Sequence, residues 1–171
     1  MEKNILLYKT EWGATQKYAG WIAEEEPSVK LFDIRKFDWD TIANYYKVVI
    51  GSRTYMGRIE AIDTIIPKWN LLKDHPVYLF SVGMIPPNDP ESIRSFEMIP
   101  GEIRKQIAGY TKLMGRLDQD QLNLFQRVFV NFLKPEVMDS MDKRSIEPIV
   151  SFLKGVEWNY ENSLRYVTTE V

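Results

Sequence analysis

Cysteine is absent from the 171-residue chain, and His75 is its only histidine. Without thiols there is no disulfide framework, no cysteine-held zinc, no iron–sulfur cluster and no thiol nucleophile. One imidazole excludes a three-histidine metal site. An excess of either charge is lacking too, with 22 Lys and Arg against 24 Asp and Glu. A net charge of −2 and a pI near 5.6 leave no basic face for nucleic acid, so no nucleic-acid partner is expected. Long apolar runs are missing. Met1-Glu2-Lys3-Asn4 leads into Ile5-Leu6-Leu7-Tyr8, too short for a signal peptide or a transmembrane span, and the expectation is a cytoplasmic protein. No Gly-x-x-x-x-Gly-Lys-Ser/Thr occurs, and no Gly-x-Gly-x-x-Gly follows an apolar run, so triphosphatase and dinucleotide fingerprints are both missing.

What is present is enough apolar surface for a core: 44% of residues, 13% aromatic. A chain of about 150 residues hides roughly 68–70% of its unfolded surface, so no covalent staples are needed. One domain spanning residues 1–171 is expected.

Short apolar runs alternate with helical patterns, as in βαβ units on a parallel sheet. Ile5 to Tyr8 reads as a buried strand, and Thr15 to Glu25 as a helix with Tyr18, Ala19, Ile22 and Ala23 inward. Val29 to Ile34 alternates as a second strand. A helical turn near Thr41–Asn44 precedes Val48-Val49-Ile50-Gly51, a third, buried strand. Ile59, Ile62, Ile66 and Trp69 mark a helix face, and Val77 to Val82 a fourth strand. A helix is expected from Pro90 to Gln106, interrupted near Pro100-Gly101, then an extended stretch from Ile107 to Leu117. Leu122, Phe125, Val128, Phe129, Phe132 and Leu133 make an apolar helix over 121–134. Ser145 starts a last helix, with Ile146, Ile149, Val150 and Leu153 inward. In such doubly wound sheets the ligand sits where the strand order reverses, outside the carboxyl ends of the strands.

The turn after the first strand, Lys9-Thr10-Glu11-Trp12-Gly13-Ala14-Thr15-Gln16, sets two hydroxyls and a glycine before a helix start. Backbone N–H groups, hydroxyl donors and a helix N-terminus can together hold a phosphate monoester without lysine or arginine. The same residues also suit plain helix capping. A receiver domain of similar architecture needs carboxylates after the first and third strands. Tyr8-Lys9 and Gly51-Ser52 stand there instead.

Thr10-Glu11-Trp12-Gly13-Ala14-Thr15 resembles the phosphate loop of flavodoxins, Thr/Ser-x-Thr-Gly-x-Thr. Thr10, Gly13 and Thr15 match, and Trp12 stands where the pattern has a hydroxyl. The resemblance implies a five-stranded parallel sheet of order 2-1-3-4-5, helices on both faces, an extra helical segment near the fifth strand, and FMN as cofactor. It places two more flavin loops, at Ser52-Arg53-Thr54-Tyr55-Met56-Gly57 and at Ser81-Val82-Gly83, with Met84 next. The run Val48-Val49-Ile50-Gly51-Ser52, with Tyr55, Gly57 and Ile107-Ala108-Gly109, is similar to a branch that includes menaquinone-dependent protoporphyrinogen oxidase.

In physical terms Trp12, Tyr55 and Met56 could supply flat or soft walls for a flavin ring. Gly51 and Gly57 allow close backbone approach and positive φ. Arg53 and Arg58 would flank the ring and attract an anionic reduced flavin or an acidic substrate, raising the cofactor's potential by charge stabilisation. The alternative makes Tyr55, Met56 and Gly57 an ordinary surface turn, and the arginines solvated.

Helix 121–134 is expected to pack over the sheet edge; a second reading lays it peripherally against a membrane or a hydrophobic partner. Three functional readings follow. The first is FMN-mediated electron transfer with a redox partner protein. The second is an oxidase of the protoporphyrinogen type, passing electrons from a small hydrophobic substrate to a quinone. The third is a flavin-free interaction module, for which Trp12 speaks.

Overall fold

Ile5, Leu6 and Leu7 are all fully buried, as are Val48, Val49 and Ile50, so consecutive side chains on both strands are shielded from water. A strand covered on both faces belongs inside a sheet with helices above and below it. The computed structural model describes residues 3–116 and 139–156. In chain order these form β1 (Asn4–Lys9), α1 (Ala14–Glu25), β2 (Val29–Asp33), a 3-10 turn (Trp39–Asn44), β3 (Val48–Tyr55) and β4 (Arg58–Ile59). There follow α2 (Ile62–Leu72), β5 (Val77–Gly83), α3 (Pro90–Glu97), α4 (Gly101–Arg104) and β6 (Gly109–Met114). A 3-10 turn (Lys143–Ile146) then leads into α5 (Glu147–Lys154).

The sheet order is β2-β1-β3-β5-β6, and these five strands run parallel. Short β4 pairs antiparallel with the end of β3 and lies off that path. Leaving β4 aside, this is the expected 2-1-3-4-5 order. The chain steps outward from β1 to β2, then returns past β1 to β3 and continues the other way, so the switch point falls between β1 and β3.

Alternate side chains build two cores. Leu6, Val49, Tyr78 and Phe80 meet α1 and α5 through Tyr18, Ile22, Ile149 and Leu153. Ile5, Leu7, Ile50 and Leu79 on the other face meet Ile62, Ile65 and Leu72 of α2, with Phe96, Ile99 and Ile103 from the α3–α4 region. Gly51 belongs to this packing. Its φ is not positive, and a Cβ there would lie 2.0 Å from the Phe80 ring. Its missing side chain therefore makes room for Phe80, not for a ligand.

Several expected elements shift. Ile59 belongs to the β3–β4 hairpin, and Ile66 is exposed; the inward face of α2 is Ile62, Ile65 and Leu72. The alternation over Val29–Ile34 gives an edge strand on which Leu31 and Phe32 remain substantially exposed. The helix expected over 90–106 is two pieces, α3 and α4. Asp89 caps α3 by accepting from the Glu91 N–H, and Pro100 stands at the start of α4. The last strand is shorter than 107–117. The final helix is preceded by a 3-10 turn, and Ser145 donates to the Asp142 carbonyl at 2.5 Å rather than capping it. Ile146, Ile149, Val150 and Leu153 do face inward. The expected helix 121–134 and the tail 157–171 lie outside the described residues. Among the described residues no helix is long and apolar enough to cross a membrane.

Candidate functional site

Register levels the strand ends. Lys9 pairs with Ser52, Ser52 with Ser81, and Ser81 with Lys112, so the loops leaving β1, β3, β5 and β6 open at one edge. There they surround a small, open cleft. Thr10, Glu11, Trp12, Ala14 and Thr15 line one side. Arg53, Thr54, Val82, Gly83, Met84, Gly115 and Arg116 complete it.

The β1 side is built from backbone. Gly13 holds φ +80, a left-handed conformation, and stands at the N-terminus of α1, where no side chain caps the helix and no acid sits in the first turn. The Thr10 hydroxyl accepts from the Gly13 N–H at 3.0 Å, leaving its own O–H free as a donor. Thr15, only 2% exposed, also lines the cleft. Capping therefore does not use up this helix end: Thr10 closes the loop, and the N–H groups of the first turn remain for an anion. Outside the cleft, Arg35 pins the loop by reaching Glu11 at 3.2 Å and the Thr10 carbonyl at 3.5 Å while gripping Asp33. That grip holds the Asp33 carboxyl below its ordinary range.

The opposite side is built from side chains. The Arg53 guanidinium lies 4.5 Å from the Trp12 ring centre and 4.4 Å from that of Tyr55. It donates to Glu60 at 2.8 Å, and Glu60 also faces Lys9 at 3.8 Å. Two cations thus share one carboxylate. The Arg53 Nε–H is buried with no hydrogen-bond partner among the described residues. Tyr55 and Met56 stand at the exposed tip of a two-residue hairpin, with φ +48 at Met56 and +74 at Gly57, the primed-turn geometry that matches strand twist.

Of the residues singled out in the sequence, Thr10, Glu11, Trp12, Ala14, Thr15, Arg53, Thr54, Val82 and Gly83 meet around the cleft. Gly13 shapes the loop, and Tyr55 reaches the site through its contact with Arg53. Met56 and Gly57 form the hairpin tip, Met56 being 87% exposed. Ser52 and Ser81 are fully buried elsewhere. Ser52 accepts from the Ala61 N–H at 2.9 Å, and Ser81 shares a 2.7 Å hydrogen bond with the Tyr110 hydroxyl. Burial pushes that phenol up to about 12. Arg58 turns away to pair with Asp63. Missed in the sequence were Gly115 and Arg116, whose only signal is their place just after the last strand.

An open parallel α/β sheet with a cleft at its switch point, and an uncapped helix N-terminus beside that cleft, defines a doubly wound α/β fold. The Flavodoxin domain profile matches residues 5–144, and the chain belongs to that family. A flavodoxin from the domain Archaea superimposes with a TM-score of 0.53 at 16% identity, covering 89% of this chain and 99% of its own. Oxidised Flavodoxin 2 from Bacillus cereus gives 0.56 at 19% identity, with the same coverages. No curated protein matches the sequence.

The residues present fit FMN. A phosphate would meet the Thr10–Thr15 loop, where the helix end is free of any capping side chain. Trp12 stands at the edge of the cleft as a flat wall and does not fill it.

Proposed function

We propose that this protein binds FMN in the cleft between the β1 loop and the β3–β4 hairpin and serves flavin-mediated electron transfer. The observation that carries the reading is the uncapped N-terminus of α1, with the hydroxyls of Thr10 and Thr15 on the same cleft. Thr10, Ala14 and Thr15 would hold the phosphate through hydroxyl and backbone donors. Trp12, Arg53, Thr54, Val82 and Gly83 would hold the ring end. When bound, FMN supplies the reversible uptake of electrons; the protein positions it and sets its potential. Arg53 and Lys9 against the single Glu60 give the ring end a positive bias.

The electron partner would approach at the hairpin tip, where the apolar side chains of Tyr55 and Met56 are exposed beside the cleft. That surface suits a redox protein or a small hydrophobic acceptor such as a quinone. Turnover with quinone or a porphyrinogen would mark the oxidase form of this reading; reduction of a partner protein alone would mark the carrier form.

The test is a titration of the purified protein with FMN and with riboflavin, followed by flavin fluorescence. One-to-one saturation with FMN strongly preferred supports the phosphate placement. No binding of either overturns the reading in favour of a flavin-free interaction module.

A further inference from the structure

Lys112 has an unusual position for a lysine. It lies on β6, is 8% exposed, and extends across β5 to donate from Nζ to the Thr54 hydroxyl at 2.8 Å. The crossing depends on Gly83, because a Cβ there would lie 2.7 Å from Nζ. Thr54 and Gly83 both line the cleft, so the ammonium lies directly behind the cleft wall.

An ammonium has donors only, so Thr54 must accept from it. The Thr54 O–H is thereby left to donate elsewhere, and Thr54 faces the cleft. Among the described residues no carboxylate comes within ion-pairing distance of Nζ; Glu91 on α3 is the acid whose charge it feels. Burying an ammonium without a paired carboxylate costs stability, which sets Lys112 apart from a residue kept for packing.

We propose that Lys112 and Thr54 form a relay that presents a charge-backed hydroxyl donor to the ring end of the cleft and raises the potential of a flavin bound there. Lys112 is the positioning residue and Thr54 the group that makes the contact. Uptake of two electrons and one proton leaves a flavin with one extra negative charge. A cation behind a donor opposes the build-up of that charge less than a neutral wall would, and so favours the reduced form. The relay matches a protein that accepts electrons in pairs from a mild reductant better than one that delivers them at very low potential. This inference rests on the flavin reading above.

The experiment measures FMN affinity and two-electron potential of wild type, Lys112→Met and Glu91→Gln, by dithionite titration against a reference dye. Lys112→Met replaces a buried cation with an apolar side chain of similar length. It should still bind oxidised FMN but lose about tenfold in preference for the reduced form, about 30 mV for a two-electron couple. Glu91→Gln, at the start of α3, removes the opposing charge and should shift the preference about two- to threefold the other way. Shifts of opposite sign separate a charge effect from loosened packing, which would move both variants alike. A Lys112→Met variant that binds FMN at an unchanged potential overturns the relay and leaves the flavin reading standing. Wild type that binds no FMN overturns both.

Discussion

The two ends of the cleft reach their function by opposite means. The β1 end uses backbone: a left-handed Gly13, a bare helix terminus and two hydroxyls, all within Thr10–Thr15. The ring end uses long side chains of β3 and β6 and of the loop after β1, with Arg53 between Trp12 and Tyr55, and Lys112 reaching Thr54 over Gly83. Backbone donors on a rigid helix barely reorganise and carry only partial charge. Side-chain cations carry full charge but depend on neighbours to hold them in place. The first arrangement suits an anion that is always present, a phosphate. The second suits a group whose charge changes.

The largest expected effect attacks the backbone end alone. Ala14 is the first residue of α1 and lines the cleft. Ala14→Asp places a carboxylate where the phosphate should sit. The same carboxylate at a helix N-terminus gains about 0.3–1 kcal/mol of stability. FMN affinity should fall at least a hundredfold while thermal stability holds or rises, and riboflavin should bind almost as before. Equal loss for both flavins would move the phosphate away from this loop. Next in size is Thr15→Ala, which removes one donor and should weaken FMN binding by about 1–3 kcal/mol. Unchanged affinity in a fluorescence titration would remove Thr15 from the phosphate contact.

At the side-chain end the comparison predicts a stability cost. Burial pulls the Lys112 ammonium down to about 8 from its ordinary 10.5, with Glu91 acting in the opposite direction. Between these values the unfolded chain holds a proton that the native protein has released. Stability therefore rises with pH across about 8 to 10.5, as the burden of the buried charge is relieved. Below about 8 the full cost is present, on the order of 1–3 kcal/mol. Lys112→Met should stabilise the flavin-free protein by that amount at pH 7, and the gain should shrink as pH approaches 10.5. Urea denaturation of both proteins at pH 7 and pH 10 checks this; a pH-independent difference would mean that Lys112 holds its proton equally in the folded and unfolded chain, so that burial does not penalise its charge.

The same contrast explains what could be read from the sequence. The β1 loop is contiguous, so its chemistry lies in consecutive letters. The strand order follows from buried apolar runs, and the cleft from the rule that ligands sit beyond strand ends. Ser52 and Ser81 misled because both faces of a parallel sheet are buried, so a small polar residue at a strand end gives no sign of whether it turns inward or toward a ligand. Lys112 and Gly83 are nearly thirty positions apart, on neighbouring strands, and only the sheet register connects them. Gly51 looked like a ligand glycine because the ring that fills its missing side chain, Phe80, belongs to another strand. The hairpin was hidden for a local reason: its turn has glycine at the second position only, with Met56 at the first.

Met56 supplies the smallest and most local prediction. At φ +48 it holds a conformation that costs an L side chain roughly 1–2 kcal/mol, and its side chain, 87% exposed, recovers little of that through packing. Replacing it with glycine removes the strain but loosens the unfolded chain, so Met56→Gly should raise stability by about 0.5–1 kcal/mol. Met56→Asn, which tolerates the same region with less loss of stiffness, should gain at least as much. Neither change touches the β1 loop, so both should leave the preference of FMN over riboflavin intact. Any effect on function should appear in the rate at which a hydrophobic acceptor reoxidises the bound flavin, since Met56 is the apolar surface at the hairpin tip. A stability gain with an unaltered rate would move the acceptor contact off the tip and leave Tyr55 as the exposed aromatic beside Arg53.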